Sequence, residues 1–194
     1  SFEELKQAEL RVQALRLNDF FEPSASYVSV VELGLYDSSV KLYRVGDAAN
    51  HSIEKVGFHS PGVVGPFGTA VVVGRLFGLD ARQMAHAFGI AGSMSSGLME
   101  FSKTGGMVKR LHLGRAAEGG FMAAVLARDG YTGPAGVLDG KFGALSVFCR
   151  DAQPARLTQG LGSVWQVMTT KIKRYACHAT AQVPVTLALD LKEK

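Results

Sequence analysis

Small residues inside helical segments constrain this chain more than any other feature. Gly68, Ala70 and Gly74 recur within stretches that otherwise read as helix, as do Ala85, Ala87, Gly89, Ala91 and Gly92. So do Ala116, Ala117, Gly119, Gly120, Ala123 and Ala124. A glycine in a helix interior costs about 1 kcal/mol relative to alanine. A sequence that accepts this cost repeatedly needs helix backbones to approach closely, or a ligand to approach the backbone. The fold class that follows is mainly α, a compact helical bundle with buried central helices. For most of these glycines, tight packing alone is reason enough.

The 194 residues read as a single helical domain spanning 1–194. Apolar periodicity predicts helices over Phe2–Phe21 and from Ser24 or Ser26 to Val45, then a polar linker over Gly46–Lys55. A third helix is expected over Pro66–Phe77, with Pro66 in its first turn and Gly78 as its left-handed stop. Asp80 and Gln83 form a capping-box pattern for a helix over Ala81–Ala91, which Ser93–Gly97 interrupts. The longest helix is expected over Leu111–Arg128, ended by Gly130 and the turn Thr132-Gly133-Pro134. Short helical pieces over Val137–Phe148, an extended stretch over Val164–Tyr175 and a last helix over His178–Leu191, kinked at Pro184, complete the expectation.

Several function classes are disfavoured. The stretch Val56–Val73 is broken by His59, two prolines and several glycines, so it is no membrane span. A net charge of +4 invites an anionic partner, but Arg75, Arg82, Lys103, Arg115 and Arg128 are scattered, not gathered in the one-faced stripe of a nucleic-acid binder. Cys149 and Cys177 match no metal spacing and read as reduced thiols, with a cytoplasmic location. No dinucleotide or phosphate-loop pattern is present, and no cofactor or metal is expected.

Two positions offer chemistry on their own terms. His59 lies in a glycine-rich loop leading into a helix, where an imidazole of ordinary pKa near 6.5 can exchange protons; packing at a helix entry is the plainer alternative. Lys109 follows Gly105-Gly106 at the entry of the long helix, placed to hold a carboxylate with help from the helix N-terminus; a solvated surface charge beside Arg110 is the alternative. His112, three residues on, shares roughly the face of Lys109. His51 and His86 read as surface residues.

Three ordered stretches carry a family resemblance. The first is Gly57-Phe58-His59-Ser60-Pro61-Gly62-Val63-Val64-Gly65-Pro66-Phe67-Gly68, followed by Leu76-Phe77-Gly78-Leu79-Asp80. The second runs from Gly89-Ile90-Ala91-Gly92-Ser93 through Gly97-Leu98-Met99-Glu100-Phe101 to Val108-Lys109-Arg110-Leu111-His112-Leu113-Gly114-Arg115-Ala116-Ala117. The third is Lys171-Ile172-Lys173-Arg174-Tyr175-Ala176-Cys177-His178. In order and spacing they resemble the MmgE/PrpD family, with coverage from Gly34 to Leu191. Departures include Ser60-Pro61 where the family commonly has Pro-Thr, and Leu113 where proline is common.

The resemblance implies a helical core of the MmgE/PrpD type, with the α/β lid starting or absent at the C-terminus. Neither the family's N-terminal histidine segment nor its lid finds a match here. It implies a cofactor-independent lyase of the 2-methylcitrate dehydratase type acting on a small polycarboxylate through removal of a proton α to a carboxylate. Decarboxylation or epimerisation of a related acid, or a catalytically silent helical scaffold, are the alternatives. By the same resemblance His59, Lys109 and Lys173 are the catalytic candidates, His112 and His178 the substrate-binding ones, and a homodimer is expected.

Overall fold

The computed structural model describes residues 43–160, 163–164 and 173–192. The helix expected over Phe2–Phe21, all but the last three residues of the one expected up to Val45, and most of the extended stretch over Val164–Tyr175 fall outside the described residues. We label the α-helices α1 (Tyr43–Ala48), α2 (Ser60–Leu76), α3 (Ala81–Ser93), α4 (Phe101–Thr104), α5 (Val108–Arg128), α6 (Ala144–Phe148) and α7 (Gln182–Lys192). Short 3-10 turns lie at Glu54–Val56, Pro154–Leu157 and Ala179–Ala181. The only bridge of strand type among the described residues pairs Phe58 with Leu98 in antiparallel sense. The mainly α expectation holds.

Helix α2 is the centre. Gly62, Val63, Val64, Gly65, Pro66, Phe67, Gly68, Ala70, Val71 and Gly74 are all buried, so it is covered on every side rather than along one stripe. Phe67 is fully buried and meets Phe88 of α3 at 4.8 Å between ring centres. Helices α2 and α5 share the largest interface, and α3 packs against both. The small residues permit this. A Cβ on Gly65 would lie 2.6 Å from the Ala116 Cβ, and one on Gly120 would lie 2.5 Å from the Pro66 carbonyl oxygen. Because Gly62 meets His112, Gly65 meets Ala116 and Gly120 meets Pro66 and Thr69, the two helices run in the same direction.

The capping box is formed as read: Asp80 Oδ1 accepts from the Gln83 N–H at 2.7 Å, and the Asp80 N–H donates to Gln83 Oε1 at 3.1 Å. Gly78 takes the left-handed conformation that stops α2.

Three expectations need correction. Helix α2 begins at Ser60, not Pro66; Pro61 occupies the first turn and Pro66 lies inside. A proline has no N–H, so the Gly62 carbonyl one turn back loses its helical partner. Here the Ser96 N–H donates to that carbonyl at 3.2 Å, and Ser95 Oγ donates to the Val63 carbonyl at 2.7 Å. The helix continues through Pro66 because a loop from elsewhere satisfies it. Second, Gly46–Lys55 is not a polar linker: Ala48, Ala49, Ser52 and Ile53 are buried, while Asp47 turns outward to Arg156 at 3.1 Å and Lys55 to Asp151 at 3.6 Å. Third, Pro184 sits in the first turn of α7, where its missing N–H costs nothing, so no kink is required.

Close packing at α5 makes opposite predictions for two of its glycines. Gly120→Ala should lower unfolding stability by about 1–3 kcal/mol through overpacking against α2. Gly114 is exposed with open space around a Cβ, and Gly114→Ala should raise stability by up to about 1 kcal/mol. Denaturant unfolding of the two variants checks the pair.

Candidate active site

His59 is the residue just before α2, extended at φ −88° and ψ 109°. Its N–H donates to the Gly97 carbonyl at 2.8 Å, and the Met99 N–H donates to the Gly57 carbonyl at 2.8 Å. With the Ser96–Gly62 bond, these fasten the segment 95–99 along the entry of α2. A Cβ on Gly62 would run into the Ser96 carbonyl oxygen, so only glycine admits the loop this closely.

The imidazole of His59 is buried, only 7% exposed. It meets the half-buried imidazole of His112 on α5, with Nδ1 to Nδ1 at 3.1 Å and ring centres 5.2 Å apart. Gly97 has φ +122°, and a side chain there would meet the His112 ring at 3.1 Å. Both rings rest against Phe101 of α4, edge-on to His59 at 5.2 Å and to His112 at 5.7 Å. Phe101 therefore supplies an apolar wall. Loss of solvation on burial pushes the His59 pKa below its usual value; the nearby His112 and Lys109 push the same way, and Glu54 opposes them. A buried imidazole with its pKa lowered and a lysine in its field is a site able to hold and pass a proton.

The structure thus brings together three of the five residues expected from sequence: His59, His112 and Lys109. Lys109 stands exposed in the first turn of α5. Lys173 and His178 lie on the exposed segment before α7. Among the described residues, no hydrogen bond, ion pair or ring contact joins either of them to His59. The hydrogen bonds of this segment are local: His178 Nδ1 faces Thr180 Oγ1 at 2.8 Å, and Gln182 bonds the backbone of Tyr175 in both directions. His178 caps the turn Ala179–Ala181, the plainer use of such a residue. His86, expected at the surface, is instead half-buried with Nδ1 3.3 Å from the Gly133 carbonyl oxygen.

Sequence reading gave Phe101 and Glu54 no role. Phe101 ends the family-like stretch Gly97–Phe101, and that position was its only signal. An apolar recess of about 390 Å³ among Gly92, Pro134, Val137, Phe142, Ala144 and Phe148 shares none of its lining with the imidazole pair.

Residues 42–157 match the family model of the MmgE/PrpD N-terminal domain. The chain is 37% identical to a cis-aconitate decarboxylase of Aspergillus terreus over 143 residues, covering 70% of this chain and 29% of that protein. It is 36% identical over 128 residues to a cis-aconitate decarboxylase-like protein, oryM, of Aspergillus oryzae, covering 62% and 26%. It is 32% identical over 138 residues to the human cis-aconitate decarboxylase, covering 70% and 28%. The chain spans under a third of the length of these relatives.

The electrostatics predict a measurable order of titration. His59 should titrate below about 6.5, and Lys109→Met, which removes a like charge, should raise its midpoint. Since unfolding restores the ordinary pKa, the unfolded state binds more protons between the two values. Stability should therefore fall as pH drops through that window. Imidazole proton NMR across pH 4–8 tests this; a His59 midpoint that ignores Lys109→Met contradicts it.

Proposed function

The chain belongs to the MmgE/PrpD family, and on that premise we propose that it contributes the acid/base site of a lyase acting on a small polycarboxylate. The observation that carries the reading is the part-buried His59–His112 contact with Lys109 acting on it. Lys109 receives one substrate carboxylate, aided by the partial positive charge of the α5 N-terminus. Lys173 is proposed as a second anchor for a distal carboxylate, its ammonium being exposed. His178 takes part only through Nε2, since its Nδ1 serves Thr180. His59 moves the proton.

Among reactions of this type, decarboxylation of an unsaturated tricarboxylate of the cis-aconitate kind is the reading favoured, because the named relatives are decarboxylases. In that reaction a protonated His59 delivers a proton to the alkene CH carbon, the one not attached to the methylene. The double bond shifts, the carbon–carboxylate bond at the far methylene breaks, and its electron pair forms the new alkene. One proton enters and one carbon dioxide leaves, so atoms and charge balance. No redox step is involved. Phe101 keeps water from the rings, which strengthens the electrostatic attraction of Lys109 for developing charge. Self-association as a homodimer is carried in the same proposal, and a monomeric mass by light scattering removes it.

Dehydration of a hydroxy acid, the reaction expected first from sequence, places the opposite demand on His59: it must be neutral to take a proton. The pH profile separates the two. For decarboxylation, kcat/KM should fall as pH rises through the lowered His59 pKa; for dehydration it should rise over the same span. Supplying the protein with cis-aconitate and with 2-methylcitrate, and following alkene signals by NMR, identifies the reaction. His59→Gln should cost about 100-fold or more in kcat. No change in either acid, or full activity in His59→Gln, would remove the proposal.

A further inference from the structure

We propose that His59 and His112 act as one proton-sharing pair, in which the hydrogen between their Nδ1 atoms makes His112 a positioning residue that sets the tautomer of His59. The inference rests on the reading of His59 as the acid/base group and deepens it. The Nδ1 atoms lie 3.1 Å apart, a hydrogen-bond distance. Two N–H groups facing each other there repel, and so do two bare lone pairs. One ring must donate and the other accept.

Opposite tautomers follow. The ring that donates from Nδ1 presents a bare Nε2; the ring that accepts at Nδ1 carries its hydrogen on Nε2. With His59 as the group that gains and loses the working proton, His59 is the donor. A free neutral histidine side chain prefers its hydrogen on Nε2, so His112 holds His59 in the less common form. That leaves Nε2 as the single working position.

The pair also limits charge. When Nε2 of His59 is protonated, its Nδ1–H still donates to His112, and the pair carries one positive charge. A second proton has no place on His112 without breaking the contact, because its Nδ1 lone pair is occupied. The charged and aromatic groups around His59 are consistent with one charge at most: Lys109 and His112 from α5, Glu54 from the turn Glu54–Val56, and Phe101 from α4. The backbone holds the geometry. Gly97 presses its bare Cα face against the His112 ring, and Gly62 passes 3.4 Å from the His112 Cβ when a Cβ is placed on it. On acidification the pair should take up one proton rather than two.

Nitrogen-15 NMR of the imidazoles in the whole protein tests this, with assignments from single His59 and His112 variants. Expected at pH 8 are one ring hydrogenated at Nδ1 and the other at Nε2, with joint uptake of a single proton on acidification. His112→Leu should return His59 to the Nε2–H form. It should also lower kcat about tenfold or more while KM changes little. His112→Asn, whose amide oxygen accepts a hydrogen bond, should keep His59 in the Nδ1–H form. If His112→Leu does not fold, the wild-type and His112→Asn spectra still decide. Two Nε2–H rings in the wild type, or two independent one-proton titrations, overturn the pair. Opposite tautomers in a protein that turns over no acid would leave the pair standing and remove the lyase reading. Matching tautomers with activity that needs His59 would do the reverse.

Discussion

The carbonyl of Gly62 is the point on which the rest depends. Pro66 deprives it of its helical partner, and a proline in a helix interior costs about 3 kcal/mol or more in all. The Ser96 N–H takes the vacancy. A destabilising residue thereby becomes a docking point, and the segment 95–99 is drawn along the entry of α2. The bonds from His59 N–H to Gly97 and from Met99 N–H to Gly57 extend that docking toward the N-terminal side. His59 is held at its backbone before its side chain meets anything. A proline inside a buried helix is thus a means of attaching a loop, and the loop supplies the floor of the site.

Small residues set the second coordinate. His112, Ala116 and Gly120 are spaced four apart, so they share one face of α5. That face meets Gly62, Gly65 and the Pro66–Ala70 turn of α2 in the same order. Once Gly65 and Ala116 are in contact, the register leaves His112 one turn back, opposite Gly62 and beside His59. The geometry of the imidazole pair is a by-product of helix packing. The alanines and glycines that exclude side chains from the interface bring two imidazoles within hydrogen-bond distance.

Much of this was legible in the sequence, and the gaps have physical causes. Periodicity and the Asp80–Gln83 pattern located α3, because a capping box is a local device. The small-residue segments announced a buried bundle, because the cost of glycine in a helix must be offset by contact. The start of α2 was not legible: its continuation through Pro66 depends on a donor thirty residues away. The segment Gly46–Lys55 misled by composition, since its charges face outward while Ala48, Ala49 and Ile53 face in. His59 and Lys109 were marked by residue type and by family resemblance, and His112 by its spacing from Lys109. Phe101 and Glu54 carry no signal of their own type, because an aromatic wall and a modest field are visible only once the chain is folded. Lys173 stands on an exposed segment whose bonds are local, which sequence order does not reveal.

Hydrogen exchange at the loop backbone measures the docking most directly. In the native protein the amides of His59, Ser96 and Met99 should be protected together, although Ser96 sits on an exposed loop. Gly62→Ala places a methyl against the Ser96 carbonyl. It should release all three amides at once while those in the middle of α3 stay protected. Rapid exchange at Ser96 in the native protein, or unchanged protection in Gly62→Ala, would mean that the loop is held by something other than the carbonyl that Pro66 leaves free.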